Sequence, residues 1–289
     1  MTDVPSFPTG KLTVSFTELS GWAQCTWRHK LKFIDGIGEW EDSPYNIFGS
    51  AVHESCAVYL KTRKIDLQVA YDYLNEHWSD QVENARFYNR GVKRAKELRP
   101  KEWWIELVGK IMADVPDFLD TQFPGWKFIS AEERLNEPIE GHRLNFKGFI
   151  DGVLAVPNKR GQIKYWVIDW KTAGWGWPLR KKRDFMVQLQ LMLYKIFWSQ
   201  KADIPLKDVR CAFVLLKRDD KVKPGERCEL LPISLGPTTR QRSLAVIDDF
   251  VATVEHGIAL KNRNSCLFCD FKDTEHCLPY RPRSYVNPG

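Results

Sequence analysis

The sequence lacks any apolar run long enough to cross a bilayer. None of its hydrophobic stretches approaches the roughly 18 residues that a membrane-spanning helix needs. The N-terminus also lacks a charged segment followed by an apolar one, which is the pattern of a secretory signal peptide. We therefore expect a cytoplasmic protein with no membrane partner.

Charge of one sign is not in large excess either. The net charge of +6 over 289 residues favours a polyanionic partner only weakly, because many soluble proteins of similar charge bind no nucleic acid. Aromatic residues are abundant, with 12 Trp, and Trp175 and Trp177 precede a basic group. That group comprises Arg180, Lys181, Lys182 and Arg183. Such a run could stack bases and hold phosphates of DNA, although Trp side chains more often belong to a core.

Residues 147–172 predict two short strands joined by a polar turn, with one acidic residue set into each apolar run. Burying an isolated carboxylate costs roughly several kcal/mol, so Asp151 and Asp169 each need a cation or hydrogen-bond donors. In a hairpin the two can lie side by side and share one Mg²⁺ or Mn²⁺. Lys171 shares the face of Asp169, where its ammonium could orient a water or offset charge on a phosphate. The alternative is an ordinary hairpin with solvated acids.

Two helices are predicted on either side of this hairpin. Residues 47–64 form an apolar-periodic helix that carries His53, and a lone histidine in such a helix is more often a core residue than a ligand. Residues 184–198 form the second, on which Gln190 and Tyr194 lie four positions apart and share a face. Further helices are predicted at about 66–88, 102–123 and 239–260, and further strands at 126–135, 209–217 and 227–234.

Cysteines are few but clustered near the C-terminus. Cys266, Cys269 and Cys277 lie within twelve residues, and a Cys-x₂-Cys pair followed by a third cysteine indicates a metal rather than disulfides in a cytoplasmic chain. Zinc is one candidate, with Cys25 or His276 as fourth ligand. A 4Fe-4S cluster, which needs four thiolates, is the other.

Taken in order, these motifs resemble the PD-(D/E)xK nuclease superfamily, and in particular its RecB-like branch. The motifs are Gly49-x-x-x-His53, Asp151, Asp169-x-Lys171 and Gln190-x-x-x-Tyr194.

The resemblance implies a role for each motif residue. By it, His53, Asp151 and Asp169 hold the Mg²⁺ or Mn²⁺, and Lys171 assists the attacking water. It also implies that the pair Gln190 and Tyr194 holds the DNA strand or orders that water. An acidic residue precedes the Asp151 strand in relatives, and the sequence leaves open whether Glu132 or Glu133 corresponds to it.

The cysteines resemble those of the iron–sulfur members of the RecB-like branch, which include the CRISPR-adaptation exonucleases and the AddB nuclease domain. By that resemblance Cys25 joins the C-terminal three, Cys266, Cys269 and Cys277, in a 4Fe-4S cluster. Two departures keep zinc as the alternative. Thr26 follows Cys25 where relatives usually have Pro, and the spacing between the last two cysteines is seven residues instead of five.

We therefore predict an α/β fold with a mixed central β-sheet flanked by helices, restriction-endonuclease-like, and with its N- and C-terminal helical regions tied by the cysteine cluster. The predicted organisation is a loose arm over 1–14, a helical part over 15–125, a nuclease core over 126–235, and a C-terminal helix with the cysteine segment over 236–289. The predicted function is a metal-dependent DNA exonuclease acting on single strands or DNA ends.

Recombination, repair or CRISPR-adaptation proteins are the partners that the resemblance implies besides DNA. The alternative function is a catalytically silent DNA-end-binding or complex-assembly subunit. Acids kept as a pair in apolar strands favour the enzyme, because a silent protein has no need of them.

Overall fold

The computed structural model describes residues 7–38, 43–78 and 99–279. Its centre is a six-stranded mixed sheet. The strands are β1 (Thr13–Ser15), β2 (Lys127–Pro138), β3 (Asn145–Pro157), β4 (Ile163–Ala173), β5 (Val209–Lys217) and β6 (Cys228–Ile233). The α-helices are α1 (Phe16–Gln24), α2 (Thr26–His29), α3 (Pro44–Thr62), α4 (Gln68–His77), α5 (Lys101–Gln122), α6 (Leu179–Lys182), α7 (Phe185–Ala202) and α8 (Pro237–Glu255). No helix in these ranges is long and apolar enough to cross a membrane.

Local sequence sets where several helices begin. The Ser15 and Ser43 hydroxyls accept hydrogen bonds from backbone N–H groups of α1 and α3, and the Asp184 carboxylate does the same for α7. Pro44 occupies the first turn of α3, where its missing N–H costs no hydrogen bond.

Strand β3 organises the sheet because it pairs on both of its edges. One edge carries β2 in antiparallel register along most of its length. On the other edge β1 pairs in parallel with residues 145–147, and β4 pairs antiparallel from Gly152 onward. No strand that the structure describes pairs with residues 148–151 on this second edge. The sheet therefore has a gap beside Asp151.

The helices form one layer on each face of the sheet, because neighbouring strand residues point to opposite faces. Val167 and Phe213 pack toward α7 and α8, whereas Ile168 and Val214 pack toward α3 and α5. The two apolar cores so formed cover both faces of β4 and β5. This arrangement confirms the predicted mixed sheet flanked by helices.

The loose arm predicted for residues 1–14 is wrong for residues 7–14. Phe7 and Val14 are each only 1% exposed, and the strand that starts at Thr13 belongs to the sheet. The polar, Pro-rich composition conceals these two apolar anchors, whose packing partners lie far along the chain. Residues 1–6, 280–289 and the part of the predicted 66–88 helix beyond residue 78 lie outside the described residues.

The N-terminal helices contact the C-terminal segment directly. The backbone N–H of Trp27 donates to the Leu260 carbonyl at 3.1 Å, and its indole N–H donates to the His276 carbonyl at 3.0 Å. Arg28 pairs with Asp270 at 3.2 Å. These bonds hold the two cysteine-bearing regions together.

Gly152 allows α3 to approach the sheet closely. A Cβ built at this position would lie 2.7 Å from Leu60 Cδ1 and 3.0 Å from Ile168 Cγ1. We expect Gly152→Ala to lower the free energy of unfolding by about 1–3 kcal/mol through overpacking. Urea denaturation measures the change as a shift of the midpoint.

Gly174→Ala is the matched control, because a Cβ at Gly174 would meet nothing within 4 Å. Its midpoint should change little. Equal midpoints for the two variants would show that α3 can move away from β3 at no cost.

Candidate active site

Asp151 and Asp169 lie where the β3–β4 ladder stops. The last paired residues are Gly152 and Ile168, and the two acids occupy the next position on each strand. The Trp170 backbone N–H donates to Asp151 Oδ2 at 2.7 Å, so a side chain takes over the acceptor role here. Asp151 is 7% exposed and Asp169 only 1%. Two buried acids therefore face each other across the end of the ladder.

Two side chains able to bind a metal, His53 and Glu132, converge on Asp151. His53, Glu132 and Asp151 each offer one ligand atom, and these atoms lie within 4.8 Å of one another. His53 Nδ1 is 3.4 Å from Asp151 Oδ2. His53 comes from α3 on one face of the sheet, while Glu132 comes from β2, which pairs with β3.

The structure selects Glu132 over Glu133 as the acidic residue of β2. Glu132 lies opposite Asp151 in the register, between the pairs Ala131–Gly152 and Glu133–Ile150, and has a positive φ of 51°. Glu133 points to the opposite face, where Trp198 donates to it at 3.0 Å and Lys201 pairs with it at 2.8 Å. Glu132 is absent from the predicted ligands, and its positive φ is the feature that the sequence pattern does not show.

Lys171 contacts Asp169 at the mouth of the site. Its Nζ lies 2.6 Å from Asp169 Oδ2, and among the described residues this buried oxygen has no other polar partner. A buried carboxylate oxygen whose one close partner is an ammonium lies beside three side chains that each offer a ligand atom. This combination fits a hard divalent cation such as Mg²⁺ or Mn²⁺. Asp169 lies outside the trio, so its role as a ligand stays a prediction.

Burial and mutual charge shift the pKa values of this group in different directions. Burial raises the pKa of Asp169, with Lys171 opposing the shift. Burial also pushes the pKa of Asp151 upward, but the neighbouring His53, Lys171 and the Trp170 N–H outweigh it and lower the pKa. Partial desolvation, together with the charge of Asp151, raises the pKa of Glu132 to about 7.

Gln190 and Tyr194 lie on α7 and contact each other. Gln190 Nε2 donates to the Tyr194 hydroxyl at 3.2 Å. Tyr194 is buried against Gly148, where a Cβ would lie only 2.7 Å from its ring. Burial raises the pKa of Tyr194 well above its ordinary value, so its hydroxyl stays neutral. Gln190 and Lys171 line the same cavity of about 460 Å³.

The predicted basic group is divided by the structure. Lys181 lines that cavity with its Nζ 4.2 Å from the centroid of the Trp177 ring. Lys182 instead forms an ion pair with Glu229, which withdraws its charge from DNA binding. Arg180 and Arg183 are exposed. Of the four, Lys181 is thus the residue placed beside Lys171.

The four predicted cluster cysteines surround one small cavity between the two ends of the chain. Cys25, Cys266, Cys269 and Cys277 all line it. The Asn262 N–H lies 3.4 Å from the Cys25 sulfur, and Arg263 Nη1 lies 3.7 Å from the Cys277 sulfur.

The sulfur spacing bears on which metal the cavity suits. Tetrahedral zinc holds its sulfurs about 3.8 Å apart, given Zn–S bonds of about 2.3 Å. Among the described residues, the groups of three or more donors within 4.8 Å include no set of cysteines. The thiols are therefore gathered but not closed around the centre of a single ion.

A model of one protein family matches residues 13–274, and it describes the PD-(D/E)XK nuclease superfamily. The chain belongs to this superfamily. Membership makes it a nuclease, from a group whose members use divalent metals and act on DNA. Comparison with the curated proteins gave no match.

Two solved structures are similar to this nuclease. One, from Eubacterium rectale, is described as "Putative exonuclease"; it is 13% identical, covers 93% of this chain and 91% of its own, and has a TM-score of 0.54. This likeness concerns the fold alone. The other, described as SSO0001, is 15% identical and covers 85% of this chain and 91% of its own. Its TM-score of 0.33 is too low to bear on the argument.

The pKa of Glu132 predicts how metal binding depends on pH. Below about pH 7 this carboxyl is protonated in the metal-free protein and cannot bind a cation. We expect the affinity for Mn²⁺ to rise as pH increases through about 7 and then to level off. Isothermal titration calorimetry between pH 6 and 8 measures this, and Glu132→Gln should weaken binding at pH 8 and flatten the rise.

Glu133→Gln is the matched control, because that neighbouring carboxylate points away from the site. It should keep the parent's affinity and pH dependence. If Glu132→Gln behaves like this control, Glu132 does not bind the metal.

Proposed function

We propose that the chain is a metal-dependent DNA exonuclease that acts on single strands or DNA ends. The convergence of His53, Glu132 and Asp151 beside the Asp169–Lys171 pair carries this proposal. The Eubacterium rectale structure, whose description names an exonuclease, supports it through a shared fold.

The metal ligands would be the trio His53, Glu132 and Asp151 together with Asp169. A divalent metal bound there supplies Lewis acidity toward the scissile phosphate and lowers the pKa of a bound water. The protein itself contributes fixed charge. Asp151 is held in place by the Trp170 N–H and by His53, so its carboxylate is oriented before a metal arrives.

Lys171 is the proposed positioning group for the attacking water. Its ammonium lies next to Asp169 and faces the cavity, and the charge of Asp169 keeps its pKa above the ordinary value despite burial. Because it stays protonated, Lys171 can donate hydrogen bonds to the water or to a phosphate oxygen but cannot accept a proton. Its role is therefore electrostatic.

Gln190 and Tyr194 are proposed to bind the DNA strand next to the cut. The Gln190 side chain lines the cavity beside Lys171, and its contact with the buried Tyr194 hydroxyl fixes its orientation. A neutral tyrosine and an amide can bind phosphate oxygens or a base edge without adding negative charge.

The cysteines are proposed to hold a 4Fe-4S cluster, and the protein is proposed to belong to the RecB-like branch. Their arrangement around one cavity and the N–H groups near two sulfurs support thiolate ligation of a cluster. The cluster would be structural, because it joins α1 and α2 to the C-terminal segment. Recombination, repair or CRISPR-adaptation proteins remain the proposed partners.

Asp169→Ala should abolish cleavage while DNA still binds. The substitution removes a proposed metal ligand and one negative charge facing the phosphate. We expect at least roughly a 100-fold loss of rate on labelled single-stranded DNA with Mg²⁺ or Mn²⁺, at unchanged or tighter DNA affinity.

Lys171→Ala is the companion variant. It should also cut more slowly but bind Mn²⁺ as the parent does, because its ammonium does not touch the ion. Full cleavage by Asp169→Ala would refute the ligand assignment, and a parent protein that binds DNA without cutting it would favour the silent end-binding subunit.

Cys25→Ala should lose the cluster and thermal stability together. Coordination from Cys25 to Cys277 closes a loop spanning most of the chain, so its loss should lower the melting temperature by roughly 10 °C. Protein purified without oxygen should be brown, with broad absorption near about 400 nm. Absorption spectra and differential scanning calorimetry measure both effects.

Cys228→Ala is the matched control, since this partly buried thiol lies in β6 away from the cysteine cavity. The Cys228→Ala protein, purified without oxygen, should be as brown as the parent. A colourless parent containing one zinc per chain would refute the cluster and leave the nuclease proposal in place.

A further inference from the structure

A strip of the sheet next to the metal-binding trio faces outward. Phe146 and Ile150 belong to the core beneath α7, so Phe149 between them points to the opposite face. On β2, Leu135 belongs to the same core, so Arg134 points away from it. Phe149 and Arg134 are direct partners across the ladder.

This strip continues the line of the metal ligands. Asp151 follows Phe149 by two residues and so lies about 7 Å along β3, and Glu132 precedes Arg134 by two residues on β2. The trio lies on the α3 side of the sheet, because His53 belongs to α3 and contacts Asp151. Phe149 and Arg134 therefore extend the active site along the same face.

The strip is open to solvent. Phe149 is 49% exposed and Arg134 is exposed. α3 packs over β3 at Gly152, where Leu60 lies close to the strand. A single exposed apolar side chain is ordinary, but Phe149 lies only two residues along β3 from Asp151, a proposed metal ligand.

Positive charge flanks the exposed ring. Arg134 lies across the ladder from Phe149, and Lys147 Nζ lies 6.0 Å from the centroid of the Phe149 ring. An exposed aromatic ring with two cationic residues near it complements a nucleotide, whose base can stack and whose phosphates are anionic. The open strip thus matches one class of ligand in shape and in charge.

We propose that Phe149, Arg134 and Lys147 form a platform for one unpaired nucleotide of the DNA strand being cut. The base stacks on Phe149, and Arg134 and Lys147 hold the phosphates on either side. Base faces inside a duplex are already stacked, so the platform selects single-stranded over double-stranded DNA. This inference rests on the proposed nuclease function and, of the two substrate forms proposed there, favours single strands.

A thermodynamic cycle between ring and base tests the stack. Binding is measured by fluorescence anisotropy on Asp169→Ala protein, with a single-stranded oligonucleotide and a series in which one abasic position is moved along the strand. Adding Phe149→Ala should weaken binding of the intact strand by roughly 5- to 100-fold. When the abasic position is the one that faces Phe149, the loss of affinity from the missing base and the loss from Phe149→Ala should not add.

Phe128→Ala is the matched control, because Phe128 is also exposed, at 37%, but lies opposite Leu154 away from the trio. It should leave both the affinity and the abasic profile unchanged. Losses that add at every abasic position, or an equal loss in Phe128→Ala, would overturn the platform.

The cations are tested by salt dependence. Arg134→Gln and Lys147→Gln should each reduce the log–log slope of affinity against salt by about 0.7, the value for one phosphate contact on a single strand. Lys127→Gln, at the far end of β2, is the control and should not change the slope. Unchanged slopes in both test variants would overturn the phosphate contacts.

Cleavage by otherwise unaltered protein separates this inference from the proposed function. Phe149→Ala should lower kcat/KM on single strands and leave the rate on duplex ends near that of the parent. Cleavage that retains its single-strand preference in Phe149→Ala overturns the platform alone. A parent that never cleaves, yet shows the coupled binding losses, overturns the nuclease proposal and supports the platform.

Discussion

Two buried carboxylates at the end of the β3–β4 ladder set the arrangement of the whole site. Asp151 and Asp169 lie too close and too deep to remain charged without nearby cations or donors. The Trp170 N–H, His53 and Lys171 supply part of that compensation. A divalent ion bound at this site would supply the rest of the compensating positive charge. Asp151 itself lies beside the gap that the sheet has at residues 148–151.

The gap lets both helical layers contribute to one site. α3 delivers His53 from one face, while α7 places Gln190 beside Lys171 on the other. An unbroken ladder would keep these side chains apart on opposite faces of the sheet. The division also separates their tasks, with ligands for a cation on the α3 side and groups suited to the substrate on the α7 side.

The parts of the site that sequence predicts are those that follow a local period. Asp169 and Lys171 share a strand, so their contact follows from alternation alone. Glu132 and Glu133 could not be told apart from the sequence, because the positive φ of Glu132 is a backbone feature that no residue pattern shows. The pairing of Lys182 with Glu229 was hidden for another reason, since it joins elements far apart in the chain. Long-range pairing is information that a single sequence does not carry.

The parallel pairing of β1 with β3 has a consequence for how the chain reaches its fold. Thr13 can pair only after Asn145 has been made and brought close. In the same way, Trp27 can form its hydrogen bonds only once Leu260 and His276 are in place. Contacts of such long sequence separation form late, because much loop entropy is lost before they contribute. During synthesis the N-terminal segment therefore emerges first and docks last. Its apolar Phe7 and Val14 stay exposed to chaperones or to other chains until the segments that cover them, around Phe250 and Phe146, have been made.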